Sequence, residues 1–251
     1  MALTRRTLLQ RFGGAALGLS TTSAAPRLFG AEGTTPLRVC LLSGSNEYKS
    51  NESLAAFQTW IERDYPAKCS RAFWTSPDNL PGLENLETCD VMLLFTKRLT
   101  ISGEQLDRVK KYCLSGRPIV GVRTASHAFQ NWLELDKLIL GGDYSGHYDD
   151  GVMTKITVAD QASNHPILQG VTLSESPSSL YKNPRLAEDT TLLLRGAIPE
   201  HTEPLAWTRS YRDARIFYTS LGGPDDFEKP AFRRLLVNAL FWTAQRNVAK
   251  N

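Results

Sequence analysis

Cysteine is scarce in this 251-residue chain, with four copies and no Cys-x-x-Cys pair. A disulfide framework or a thiolate metal cluster needs paired thiols at short spacing, so Cys40, Cys69, Cys89 and Cys113 read as separate buried thiols. Histidine is equally sparse at four copies. No His-x-His or His-Glu-x-x-His spacing occurs, so no metal site is assigned and the cofactor stays unknown. A divalent ion would have to gather Glu47, His127 and His147 from distant parts of the chain. Long hydrophobic runs are missing too. None approaches the about 20 apolar residues that cross a bilayer, so no transmembrane span is expected.

Acidic residues are absent from Met1 to Ala31, which carries Arg5, Arg6, Arg11 and Arg27. Taking those four from the chain's 29 basic residues leaves 25 against 26 acids. The remainder is therefore near neutral and lacks the basic field of a nucleic-acid binder. The segment itself reads Thr4-Arg5-Arg6-Thr7-Leu8-Leu9, then a weakly apolar stretch from Phe12 to Leu19, then small residues. That is the layout of a twin-arginine signal peptide, and it predicts export to the periplasm or beyond. The expected organisation is a signal and the start of a linker over 1–31, a linker over 32–36, one α/β domain over 37–246 and a short tail over 247–251.

What is present is an alternation of strand and helix patterns. Leu37 to Leu42 is a short apolar run opening into Ser43-Gly44-Ser45, as a buried parallel strand does. Leu54 to Ile61 has helical spacing. Strands are then expected around Cys69 to Trp74, Val91 to Phe95 and Pro118 to Val122, with a helix from Ser102 to Leu114 between the last two. Ser102 and Gln105 suggest a capping box, and Gly116 is placed to end that helix. This interval predicts a flavodoxin-like, doubly wound, mostly parallel sheet with helices on both faces and function at the carboxyl ends of its strands. After an expected helix from His127 to Leu140, the strand patterns Met153 to Val158, Thr191 to Leu194 and Leu205 to Thr208 predict an antiparallel or mixed extension. A last strand, Arg215 to Ser220, precedes a closing helix from Pro230 to about Gln245.

The stretch Pro118 to His127 drives a hydrophobic strand through a sharp turn, the layout of a nucleophile elbow. The turn residue is Arg123, which stays protonated and offers only donors, so it cannot attack. It can clamp a carboxylate, a phosphate or sugar oxygens, or it can hold the loop by pairing with an acid.

The run Arg123-Thr-Ala-Ser-His-Ala-Phe-Gln130, the segment Gly141-Gly142 to Gly146-His147, Asn164-His165-Pro166-Ile167, and the tail Phe217 to Phe227 together resemble a ThuA-like (trehalose-utilisation) domain over essentially Leu37 to Arg246. The resemblance implies the class I glutamine-amidotransferase type of α/β sheet and a setting in carbohydrate metabolism. The chain departs from the amidotransferase pattern in two places. Arg123 stands where the Cys nucleophile would be, and Gly222-Gly223 where a catalytic His would be. Glutamine hydrolysis is therefore not expected.

A polar rim remains at the predicted carboxyl edge. Glu47, His127 and His147 are the candidate catalytic groups, since a carboxyl and an imidazole can exchange protons near neutral pH. Asn46, Lys49, Lys97, Arg123, Ser126, Tyr148 and Asp225 are the candidate ligand-binding residues. Tyr48, Tyr144, Tyr148 and Trp207 could stack on a sugar ring. The expected ligand is a small carbohydrate or an oxidised sugar derivative, acted on by a hydrolase, lyase or isomerase, or held by a non-catalytic accessory domain.

Overall fold

Strand β1 (Leu37–Gly44) is buried at every position except Arg38, as a strand covered on both faces must be. Its side chains alternate between two cores. Val39 and Leu41 meet Leu54, Phe57 and Ile61 of helix α1 (Ser50–Asp64) and Phe232, Leu235 and Leu236 near the C-terminal end. Cys40 and Leu42 face the opposite core with Leu106, Val109 and Cys113 of helix α2 (Gly103–Leu114). Each such fully buried aliphatic side chain contributes about 1.5–3 kcal/mol by leaving water. In this computed structural model residues 35–249 are described, and the twin-arginine segment lies outside the described residues.

The remaining strands are β2 (Ala67–Phe73), β3 (Val91–Thr96), β4 (Ile119–Val122), β5 (Thr154–Val158), β6 (Glu175–Ser176), β7 (Thr191–Ile198), β8 (His201–Tyr211) and β9 (Ala214–Thr219). They form one nine-stranded sheet in the order β2-β1-β3-β4-β9-β8-β7-β5-β6. The first five in that order run parallel. From β9 outward every pairing is antiparallel. The fold is thus an α/β mixed sheet with the expected extension in its C-terminal half.

Two further helices, α3 (Pro224–Glu228) and α4 (Pro230–Thr243), follow the last strand. Pro230 starts α4 at its first turn, where a missing N–H costs nothing. Gln245 has φ +57, and α4 stops before it. Among the described residues no helix is long and apolar enough to cross a membrane.

Two local expectations fail. Ser102 is the N-cap of α2, but its side chain makes no capping bond. Gln105 instead accepts from Leu80 N at 2.8 Å and donates to Asn79 at 2.8 Å, pinning the loop after β2. The helix expected from His127 to Leu140 is replaced by a 3₁₀ turn over Arg123–His127 and a turn of π-helix over Asp136–Leu140. The backbone between them is captured laterally. Arg98 N donates to His127 O, Leu99 N to Ala128 O, and Gln130 N to Leu99 O, each at 2.8 Å, so those groups are unavailable to a helix.

All four cysteines are free thiols. Burial pushes Cys69 up to about 12, consistent with inert core thiols.

Candidate functional site

Strand β4 ends at Val122, and Arg123 takes φ +45, a left-handed conformation costing on the order of 1 kcal/mol for a residue with a Cβ. Tyr218 OH donates to Arg123 O at 2.7 Å and helps to hold the turn. The side chain is only 1% exposed. Its Nη1 donates to Ser220 O at 2.8 Å, and its Nη2 donates to Ser179 Oγ at 3.0 Å and Tyr48 OH at 3.3 Å. The guanidinium lies between two rings, 4.4 Å from Tyr48 and 4.5 Å from Tyr181. Such a buried cation over aromatic faces gains up to about 2 kcal/mol per face. Among the described residues no carboxylate pairs with it, and Nε has no acceptor. The acid partner considered from sequence is not found there, and two tyrosines take its place.

Arg123 therefore joins three loops. Tyr48 follows β1, Ser220 follows β9, and Ser179 comes from the segment between β6 and β7. Above it lies a cleft of about 270 Å³, lined by Glu47, Tyr48, Arg123, Asp150, Ser178, Ser179 and Asp225 among others. Glu47 pairs with Lys97 Nζ across the rim. Lys97 is held below its usual range by partial burial and by the charges of Arg98 and Arg123.

The neighbouring imidazole is withdrawn from water. His127 is 4% exposed, and its Nδ1 is 3.0 Å from Ser126 Oγ. Its ring stacks on Tyr144 with centroids 4.3 Å apart. Burial, aided by the charges of Arg98, Lys97 and Arg123, drives His127 down to about 3. It is neutral throughout the physiological range. That does not suit it to trade protons near pH 7.

The other sequence candidates scatter around this centre. Asn46 lines a small polar pocket with Asn51 and Trp74. Lys49, with φ +48, borders a separate cleft beside α1 and α3, which shares only Pro224 and Asp225 with the Arg123 cleft. His147 and Tyr148 line a third pocket with Lys182 and His201. His147 Nδ1 contacts Tyr148 O at 2.7 Å, and its ring centroid is 6.4 Å from that of Tyr181. Tyr148 is already occupied, with its hydroxyl on Glu203 at 2.9 Å and its ring on His201 at 4.2 Å. Trp207 is fully buried and donates to Leu140 O at 2.8 Å, so it is a core residue and cannot stack on a ligand. Among the described residues no group of three or more His, Cys, Asp or Glu side chains converges as a metal site would require. Glu47, His127 and His147 are not brought together as one.

Several residues that build the site were not singled out from the sequence. Asp226, buried beside the exposed Asp225, accepts from Gly222 N at 3.0 Å, Gly223 N at 3.2 Å, Ser176 Oγ at 2.8 Å and Ser178 Oγ at 2.9 Å. Its place at the third position of a Pro-initiated turn was a legible signal for that N-terminal carboxylate. Gly222 has φ +130, and a Cβ there would meet Val122 Cγ1 at 2.5 Å, so this turn excludes a histidine as built. Ser178, Ser179 and Tyr181 belong to a hydroxyl-rich stretch whose destination only the topology discloses. Asp136 is 4% exposed, and Oδ2 accepts from Tyr144 N at 2.8 Å, setting the loop that carries Tyr144 to His127. Burial raises its carboxyl to about 7.

The larger cavity of the molecule, about 770 Å³, lies elsewhere, between α2 and the turn over Leu83–Glu87. Its charged residues are largely spent on each other: Arg108 pairs with Glu87 and Glu104. Size alone does not make it the site. It is distant from the carboxyl ends of the strands, where parallel sheets place their ligands.

Comparison with protein families matches the trehalose-utilisation model, ThuA, over residues 38–243. No curated protein matches the sequence. Among solved structures, a ThuA-like protein from Bacteroides uniformis is similar at 19% identity with a TM-score of 0.63, covering 84% of this chain and 92% of its own. A ThuA-like protein from Parabacteroides merdae is similar at 19% identity and a TM-score of 0.62, covering 86% and 92%. A GMP synthase protein from Thermoplasma acidophilum follows the same fold at 15% identity and a TM-score of 0.52, covering 84% and 95%.

Proposed function

Since the chain belongs to the ThuA (trehalose utilisation) family, we propose that it binds small carbohydrates or oxidised sugar derivatives in the cleft above Arg123, as an exported protein of carbohydrate metabolism. The observation that carries this reading is the cleft's lining. Hydroxyl groups of Tyr48, Ser178 and Ser179, the carboxylates of Glu47, Asp150 and Asp225, and one guanidinium surround about 270 Å³. Alternating donors and acceptors beside an aromatic ring is the chemistry a polyhydroxylated ligand needs. The position supports it too, because the order β2-β1-β3-β4-β9 reads as the parallel part of a flavodoxin-like, doubly wound sheet, whose ligands sit at the carboxyl ends of the strands.

Binding without turnover is the better supported form of this proposal. A guanidinium cannot attack a carbonyl carbon, which removes the thiol route of the amidotransferases at Arg123. The adjacent imidazole is buried and neutral, with its basicity suppressed. An enzymatic role would fall to Glu47, on the cleft rim, and to His147, which lies in the neighbouring pocket.

A thermal-shift panel of neutral sugars and their keto and acid derivatives tests the reading. A ligand at 100 times its Kd adds about 2.7 kcal/mol to stability. The expected result is stabilisation by at least one sugar, weakened by Ser179→Ala and unaffected by Lys111→Ala in the distant cavity. Silence across the panel would contradict sugar binding, and turnover of a bound sugar abolished by Glu47→Gln would replace the accessory form with an enzyme.

A further inference from the structure

Arg123 is a buried cation without an anion. Among the described ion pairs, none includes it, and its Nε points to no acceptor. Leaving an uncompensated charge out of water is costly, and two tyrosine faces offset only part of that cost. Other bonds of the guanidinium are slack. Nη2 to Tyr48 OH is 3.3 Å, and the contacts of Nη1 and Nη2 to Ser179 O are 3.4 Å and 3.5 Å. Charge-assisted bonds to a carboxylate run near 2.7–2.9 Å and are about twice as strong as neutral ones, so a ligand anion would outcompete these contacts.

Resting on the sugar-site reading above, we infer that the ligand is a monosaccharide-sized sugar acid, its carboxylate taken by Arg123 Nη2 together with the hydroxyls of Tyr48 and Ser179. Two further observations converge on it. Six described residues other than glycine have positive φ. Glu200 and Arg212 sit in the β7–β8 and β8–β9 hairpin turns and Gln245 ends α4, where left-handed backbone is ordinary. The other three, Lys49, Arg98 and Arg123, all follow parallel strands and all are basic. Strained backbone held at a strand edge is typical of binding sites, and here it accompanies positive charge each time.

The size and the acids fix the rest of the ligand. At about 270 Å³ the cleft falls just below the roughly 300–1,000 Å³ of sites for drug-sized molecules, which suits one sugar ring. Glu47 is neutralised by Lys97, whereas Asp150 and Asp225 face the same cleft from its exposed rim. Those two carboxylates accept hydrogen bonds from ring hydroxyls and repel a second negative charge. A monocarboxylate carrying several hydroxyls satisfies both ends, and a phosphate dianion does not.

Calorimetry on the full chain tests this with matched pairs: galacturonate against galactose, glucuronate against glucose, and the uronate against its methyl ester. We expect the acid to bind at least about tenfold tighter than its neutral partner, the scale of one hydrogen bond to a charged group. The preference should shrink as salt rises, fall in Ser179→Ala and Tyr48→Phe, and vanish in Arg123→Gln. Should Arg123→Gln fail to fold, the two hydroxyl variants carry the test alone. A neutral sugar or ester binding as tightly as its acid overturns the charge assignment and leaves the sugar site standing. Absence of binding by both members of every pair overturns the charge assignment and the sugar site together.

Discussion

The two halves of the sheet are built on different rules, and the cleft lies where they meet. In the parallel half, β3 is buried at all six positions and β1 at seven of eight, so each strand reads as an unbroken apolar run. In the antiparallel half, β5 and β7 bury only part of their residues, and Val158 is 47% exposed. The parallel half supplies rigidity, and the antiparallel half supplies loops that reach back over the strand ends. Arg123 is the fastener between them, since its guanidinium holds Tyr48 and Ser220 from the parallel strands and Ser179 from the extension. A turn laid out like a nucleophile elbow has become, in this chain, a structural junction with a cleft above it.

Core truncation should separate the halves most strongly. Leu93→Ala in β3, at a site with no exposure, should cost about 2–5 kcal/mol in urea unfolding. Val158→Thr on the outer strand should stay within about 0.5 kcal/mol. Similar losses at both positions would erase the contrast. At the junction itself, Arg123→Met should cost about 2–4 kcal/mol, because it strips partners from buried carbonyl and hydroxyl groups on both sides. A loss below about 1 kcal/mol would mean that the two halves hold together without it.

Acidity should expose an opposition inside the site. The unfolded chain protonates His127 below about pH 6.5, and the folded chain only near pH 3. Stability from this group therefore drops as the pH falls through that window. Asp136 works the other way. Its folded carboxyl keeps a proton up to about pH 7, while the unfolded chain releases it near pH 3.9, so stability drops as the pH rises between those values. Wild type should show a shallow profile between about pH 4 and pH 6.5. Asp136→Asn should lose stability toward acid, and His127→Gln should lose it toward neutrality, both read from urea midpoints across the range. Parallel profiles in the two variants would refute the opposed burial. The smallest expected effect is at the rim. Glu47→Gln breaks an exposed pair and should change stability by less than about 1 kcal/mol.

The same contrast explains what could be read from the sequence. Unbroken apolar runs at β1, β3 and β4 identify a parallel α/β sheet, because burial on both faces leaves no other pattern. The turn at Arg123 followed from the abrupt end of such a run. The extension was harder. Its strands were expected in the right places but too short, since half-polar residues such as Glu203 and Arg195 in β8 and β7 blur the boundaries. The false helix after His127 arose because local spacing could not anticipate backbone bonds from Arg98 and Leu99. Site residues divided likewise. Arg123, Glu47, Lys97 and Asp225 were found from their place after a strand. His147 and Tyr148 were grouped with them, but their loop turns toward Lys182 and His201. Ser179, Tyr181, Asp226 and Asp136 carry no local signature of the long-range bonds they make.

The most direct test is a crystal structure with the sugar or sugar acid that stabilises the protein most. The account predicts the ligand between Tyr48, Arg123, Ser179 and Asp225, with an oxygen within hydrogen-bonding distance of Arg123 Nη2. A ligand seated instead in the larger cavity against α2, with the Arg123 cleft empty, would contradict it.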